Sequence, residues 1–231
     1  MTPATHATWA RAGYIYMVVL VLVGTVLSLA PFVLPPEAHR AFARPLYGDL
    51  YVDEQFARLA ERPLTEAAHR IAGVVFMLAG WTQFTPKIRA RRWAVHRWLG
   101  RIFLALSVLV AATGIVFAVA VPFGGFALTA LVLVYAPIML WSSWRAFTCA
   151  RQRQIARHRE WVLRCFSIGL GVVTLRLIFV ILAAFGPAGD RELLAVSGWI
   201  AWTGHTLAVE WWLLAGRRRP AARARAAATP A

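Results

Sequence analysis

Six long apolar stretches, at residues 13–34, 64–85, 98–121, 126–147, 160–185 and 193–215, divide this chain, and its polar residues gather in the segments between them. No strand-like alternation runs through the stretches. At about 1.5 Å of rise per residue, each is long enough to cross about 30 Å of hydrocarbon as a helix. A helix is the form such a run takes in lipid, because it satisfies the backbone N–H and C=O groups internally. The pattern predicts an all-α polytopic membrane bundle of six transmembrane helices. In the first stretch Ser28-Leu29-Ala30 looks like a signal-peptide cleavage site. That stretch is too long and unbroken for a signal peptide, and Pro31 follows directly, so it is read as a retained helix.

The segments between the stretches set the domain plan. Residues 1–12 form an N-terminal tail, residues 13–216 a single helical domain, and residues 217–231 a basic tail expected to be disordered. Residues 35–63 are the only sizeable piece outside the expected membrane. Within them "VDEQFARLAER" reads as a short amphipathic helix with Asp53 as its N-cap.

Composition agrees with a membrane protein. Of the 231 residues 60% are hydrophobic and 15% charged, where a soluble domain carries roughly a quarter charged residues. A net charge of +15 raises the question of nucleic acid, but the basic residues sit in short segments between apolar runs, so no nucleic-acid partner is expected. The bilayer and its anionic lipids are the expected partners. Two cysteines, Cys149 and Cys165, supply neither a disulfide framework nor a zinc-like spacing and are expected as free thiols.

The same charges predict orientation. "KIRARRWAVHR" holds five basic residues and no acid, Arg145, Arg151, Arg153, Arg157 and Arg159 precede Glu160, and "GRRRPAARAR" adds five arginines. On the alternate side, residues 122–125 carry no charge, "GPAGDRE" has two acids and one arginine, and residues 35–63 have five acids and four arginines. Basic short loops stay in the cytoplasm, so both termini are expected inside.

Orientation converts position into depth. His96, Arg97, Arg101, His158, Arg159, Arg164, Gln83 and Glu210 fall near the inner face, and His69, Arg70 and Arg176, with Glu66, near the outer one. Charged groups at membrane depth are costly and normally face the bundle interior with a partner. Glu210 is the only acid well inside an apolar run, and Arg101 and Arg164 are its candidate partners. On helical spacing His69, Gly73, Phe76, Gly80 and Gln83 share one face. So do His96, Gly100, Phe103, Ser107 and Gly114, and so do His158, Val162, Cys165, Gly169, Val172 and Arg176. "HRIAGVVF" (69–76) and "HRWLGRIF" (96–103) share H-R-x-x-G-x-x-F on stretches that cross in opposite senses, a possible inverted repeat.

Four of the six histidines precede an arginine. Three chemistries account for such pairs. The first is interfacial anchoring beside tryptophan, as in "HRW" and "HREW". The second is a haem site, with His96 and His158 as axial ligands of a single b-type haem and arginines pairing its propionates; the opposite face offers only His69. The third is a basic pocket for a small anionic ligand or a lipid headgroup, serving binding or transport. A structural or assembly role with no ligand would instead seal Glu210 with arginine. No G-x-S-x-G, H-E-x-x-H or phosphate-cradling glycine loop is present, so no catalytic residue is assigned. His205 and Glu210, five residues apart, lie on different helix faces and make no metal pair.

Taken together, "AHRIAGVVFMLAGWTQF", "RARRWAVHRWLGRIF", "ARHREWVLRCFSIGLGVVTLRL" and "AVEWW" resemble a bacterial family of multi-pass membrane proteins catalogued as domain of unknown function 2306. The resemblance covers residues 65–214. It implies a bacterial inner-membrane helical bundle and singles out the His-Arg pairs, Gln83-Phe84, Gly100-Arg101, Arg176 and Glu210. It implies no activity, cofactor or protein partner. His205 stands where the resemblance leads one to expect asparagine, so no role passes to it.

Overall fold

In the computed structural model, residues 3–122, 124–185 and 189–227 are described, and no strand occurs among them. The helices are α1 (Pro3–Val33), α2 (Pro36–Tyr47), α3 (Asp49–Ala60), α4 (Pro63–Phe84), α5 (Pro86–Arg91), α6 (Trp93–Ala120), α7 (Gly125–Arg151), α8 (Ile155–Ala183) and α9 (Asp190–Ala227). All six apolar stretches are therefore helical. Proline at the first position of α2, α4 and α5 sets the helical φ where no intrahelical N–H bond is needed.

Long helices consecutive in the chain pack side by side and alternate in direction. α4, α6, α7 and α8 form a ring in that order, α1 lies against α4 and α8, and α9 lies against α8 and α7. α6 and α8 face each other across the ring and meet through Phe103 and Phe166. Between α6 and α7 the Ser107 and Ser143 hydroxyls hydrogen-bond at 2.7 Å, both fully inside the bundle. Small polar residues at such a seam let two backbones approach and satisfy each other. The outward faces are apolar and bare, with Leu22, Val26, Val119 and Trp141 all more than half exposed.

Among the described residues, four helices are long and apolar enough to cross a membrane: Ala7–Val33 of α1, and α6, α7 and α8. The expected second and sixth spans, α4 and α9, fall short of that composition. Glu66, His69, Arg70 and Gln83 dilute α4, and Asp190, Arg191, Glu192, His205 and Glu210 dilute α9.

Several expected boundaries move. α1 already begins at Pro3, so the N-tail is mostly a helical extension. Helix also continues through Ala227, where a disordered tail was expected, because alanine and arginine are both strong helix formers; residues 228–231 lie outside the described residues. So do Phe123 and residues 186–188, in the turns used for orientation. The loop at residues 35–63 is a helical hairpin, not one short helix. Asp53 lies inside α3 rather than capping it, and Arg44 bonds it at 3.3 Å and Asp49 at 2.7 Å. Gly48 makes the corner with φ +84°, and a Cβ there would run into the Asp190 carboxylate.

Candidate functional site: two chambers divided by phenylalanine

The helix bundle holds two cavities, one toward each end, divided by aromatic rings. Phe76 of α4 stacks on Phe103 of α6 at 4.8 Å and 16°, and Phe166 of α8 packs against both at 5.7 and 5.8 Å. Glycines seat these rings reciprocally. Gly80 of α4 receives Phe166, Gly169 of α8 receives Phe76, and a Cβ at either glycine would lie 2.3 Å from a ring carbon. Each aromatic pair adds about 0.5–1.5 kcal/mol beyond simple burial. Phe76 lines the smaller cavity, while Phe103 and Phe166 line the larger.

The larger chamber, about 1120 Å³, opens at the arginine-rich end. Its wall includes His96, Arg97, Gly100 and Arg101 of α6, His158 and Arg159 of α8, and Gln83 of α4. Six of the eight residues expected in the inner cluster thus border one space. Deeper in, the lining is chiefly Tyr14, Phe84, Phe103, Leu104, Leu163 and Phe166. His158 Nδ1 lies 2.9 Å from the Ala146 carbonyl, and a bond there requires the proton on Nδ1, which leaves a lone pair on Nε2. His96 stacks on Trp93 at 5.3 Å, and the Arg101 guanidinium lies 4.8 Å over the Trp98 ring. Arg97, Arg101 and Arg159 are exposed at the mouth.

The other two expected members, Arg164 and Glu210, are off that wall and form a closed pair. Arg164 donates through Nε and Nη2 to the two Glu210 oxygens at 2.5 and 2.9 Å, and its guanidinium lies 4.6 Å over the Trp161 ring. Arg101, the other candidate partner for Glu210, turns to Trp98 instead.

The smaller chamber, about 250 Å³, is bordered by His69, Arg70 and Arg176, the whole expected outer cluster, together with Glu66. Arg70 donates to Glu66 at 2.8 Å, and His69 Nδ1 meets the Thr113 hydroxyl at 2.7 Å. Arg176 donates through Nε to the Tyr47 hydroxyl at 2.6 Å and through Nη1 to the Val172 carbonyl.

Three features escaped the sequence reading. Tyr47 comes from the α2 hairpin and borders the smaller chamber, although no periodicity links residue 47 to residue 176. His205 is held by polar neighbours from two other helices, α8 and α1: Nδ1 lies 2.7 Å from the Ser167 carbonyl, and Nε2 lies 3.0 Å from both the Tyr16 and the Thr174 hydroxyls. The third is the ring divider. Helical phase puts Phe76 and Phe103 on inward faces, and the H-R-x-x-G-x-x-F pair matches them, but neither shows that the two phenylalanines stack while the motif's histidines border opposite chambers. Cys149 and Cys165 are free thiols, as expected, and both are buried.

Among the described residues no three His, Cys, Asp or Glu side chains come together to hold a metal ion. No curated protein and no solved structure matches this chain. A family model described as "Predicted membrane protein (DUF2306)" matches residues 67–213, a span that contains both chambers' histidines and the ring divider. By that match, over more than half of its length, the chain belongs to the DUF2306 family of predicted membrane proteins.

Proposed function

We propose that the protein is a six-span membrane protein, its arginine-rich end in the cytoplasm, that holds an anionic amphiphile in the larger chamber. One observation carries this reading: two histidines and three arginines from α6 and α8 rim a cavity of about 1120 Å³ whose depth is walled by aromatic and aliphatic side chains. Such a cavity suits a ligand with an apolar body and an anionic head. The body replaces water against the phenyl rings, and the head pairs with Arg97, Arg101 or Arg159. Arg164 has no such role, since Glu210 already satisfies it. The six-span reading is supported by α4 and α9, each of which packs alongside helices that are apolar enough to cross. The resemblance supports a bacterial inner membrane.

The test is mass spectrometry of what copurifies with the detergent-solubilised protein. Wild type is expected to carry an anionic amphiphile that the Arg97→Gln/Arg101→Gln/Arg159→Gln triple variant loses. The same complement on both would overturn the reading.

A second reading, one b-type haem with His96 and His158 as axial ligands, is favoured by the Nδ1 proton of His158. An imidazole that gives that proton to a backbone carbonyl is oriented for coordination through Nε2. Haem is itself an amphiphilic anion, and bound there it would supply one-electron transfer. Absorption spectra before and after dithionite decide this point. A Soret band lost on His158→Ala would establish haem, and a colourless protein from haem-replete cells would exclude it.

A further inference from the structure

The two cations bordering the smaller chamber are not equivalent. Arg70 is neutralised by Glu66, four residues away on the same helix, at 2.8 Å. Arg176 has only neutral partners among the described residues: the Tyr47 hydroxyl, the Val172 carbonyl, and the Tyr47 ring 4.7 Å beneath its guanidinium. Those bonds use two of the five N–H groups of a guanidinium. The group borders the chamber, in the last third of α8. A cation at that depth is costly until it meets an opposite charge.

Elsewhere the chamber is mostly hydrocarbon. Phe76, Met77, Val110, Phe117, Leu128 and Met139 are among the apolar side chains that line it. The Tyr135 hydroxyl, a polar group that could compete for a ligand, is already bonded to Thr203 at 3.0 Å. At about 250 Å³ the space is below the range of drug-sized pockets, so a ligand must be small.

We infer that the smaller chamber is a second ligand site, for a small apolar monocarboxylate whose carboxylate pairs with Arg176 and whose hydrocarbon body lies against Phe76 and Met77. One uncompensated cation calls for one negative charge, and the Glu66 carboxylate repels a second. A guanidinium matches a carboxylate with two parallel N–H bonds, which an ammonium cannot do. Tyr47 of α2 borders the chamber beside Arg176. The phenylalanine divider separates this site from the larger chamber, so it does not depend on what the larger chamber holds.

Benzoate is the probe, with benzyl alcohol as its uncharged counterpart, titrated calorimetrically into the full-length protein in detergent micelles. Benzoate is expected to bind saturably and to raise the melting temperature, and benzyl alcohol to bind about tenfold more weakly or less. A charged hydrogen-bonded contact is worth about that factor. Arg176→Gln should lower benzoate affinity by about tenfold or more and leave benzyl alcohol unchanged, with Arg176→Lys in between. Equal binding of benzoate and benzyl alcohol by wild type, or no saturable benzoate binding, overturns the inference even if the variants fail to fold. Unchanged benzoate affinity in folded Arg176→Gln overturns it too.

Discussion

Arg164 and Arg176 lie on one helix and carry the same charge, yet their surroundings differ. Arg164 is held by both oxygens of Glu210, with Glu160 at 3.8 Å, whereas Arg176 has a phenol and a carbonyl. The first arrangement locks α8 to α9. Glu210 is 41% exposed, so water screens the pair and its worth falls between a surface and a buried ion pair. Arg164→Met is therefore expected to cost about 1–2 kcal/mol by chemical denaturation in detergent. The larger chamber's ligand should be retained, because Arg164 is off its wall. Loss of ligand without loss of stability would make Arg164 a binding residue after all. Depth arithmetic found Arg101 and Arg164 as rivals for Glu210 but did not choose between them. The choice depends on Trp98, which draws Arg101 away, and side-chain packing is not written in helical spacing.

At the level of elements, the α4–α8 crossing rests on two glycines that each hold the other helix's phenyl ring. Gly80→Ala would place a methyl 2.3 Å from Phe166, a ring locked between Phe76, Phe84 and Phe103. It should destabilise by about 1–3 kcal/mol through overpacking. Gly73→Ala, whose methyl meets open space in the smaller chamber, should cost nothing in a melting measurement. Equal losses from both would mean that helix flexibility, not the ring seat, is what these glycines supply. Helical phase had put Gly73, Phe76 and Gly80 on one face, so the inward side of α4 was legible in the sequence. Which glycine seats a ring and which leaves a cavity was not, because that depends on where the neighbouring helix crosses.

The α2 hairpin was the least legible element, since its tertiary contacts come from residues distant in the chain. It adds a pH dependence. His39 packs on Phe56 at 4.7 Å; burial first, and then the nearby Arg70, hold its pKa below the ordinary value, while Glu66 partly offsets them. The folded chain thus binds this proton less readily than the unfolded one. The docking contribution is full above the ordinary value of about 6.5 and is lost progressively as pH falls below it. Hydrogen exchange over residues 36–47, corrected for intrinsic rates, should therefore quicken from about pH 7.5 to about pH 5.5. His39→Phe should remove that change, and an equal change in the variant would assign it to another group.

At the scale of the whole molecule, where polar residues sit along a helix decides whether an apolar run survives. Among the described residues four helices are apolar enough to cross a membrane on composition alone. Two of these, α6 and α8, also carry most of the larger chamber's polar residues, but His96, Arg97 and Arg101 of α6 and His158 and Arg159 of α8 lie toward one helix end and leave a long apolar run beyond. In α4 and α9 the polar residues are spread along the helix, and no such run remains. Topology tests whether these two cross as well. The native thiols are buried, so cysteines introduced one at a time should report cleanly against a membrane-impermeant maleimide. With the arginine-rich end cytoplasmic, Glu61→Cys and Glu192→Cys should label on intact spheroplasts. Lys87→Cys, Gln152→Cys and Gly216→Cys should label only after lysis. The pairs flanking α4 (61 and 87) and α9 (192 and 216) are decisive, because composition alone does not predict that these helices cross. Labelling of both members of either pair from one side would mean that helix does not span, and the six-span bundle would fall with it. Reversal of every site together would keep the six spans and invert the molecule, turning the larger chamber away from the cytoplasm.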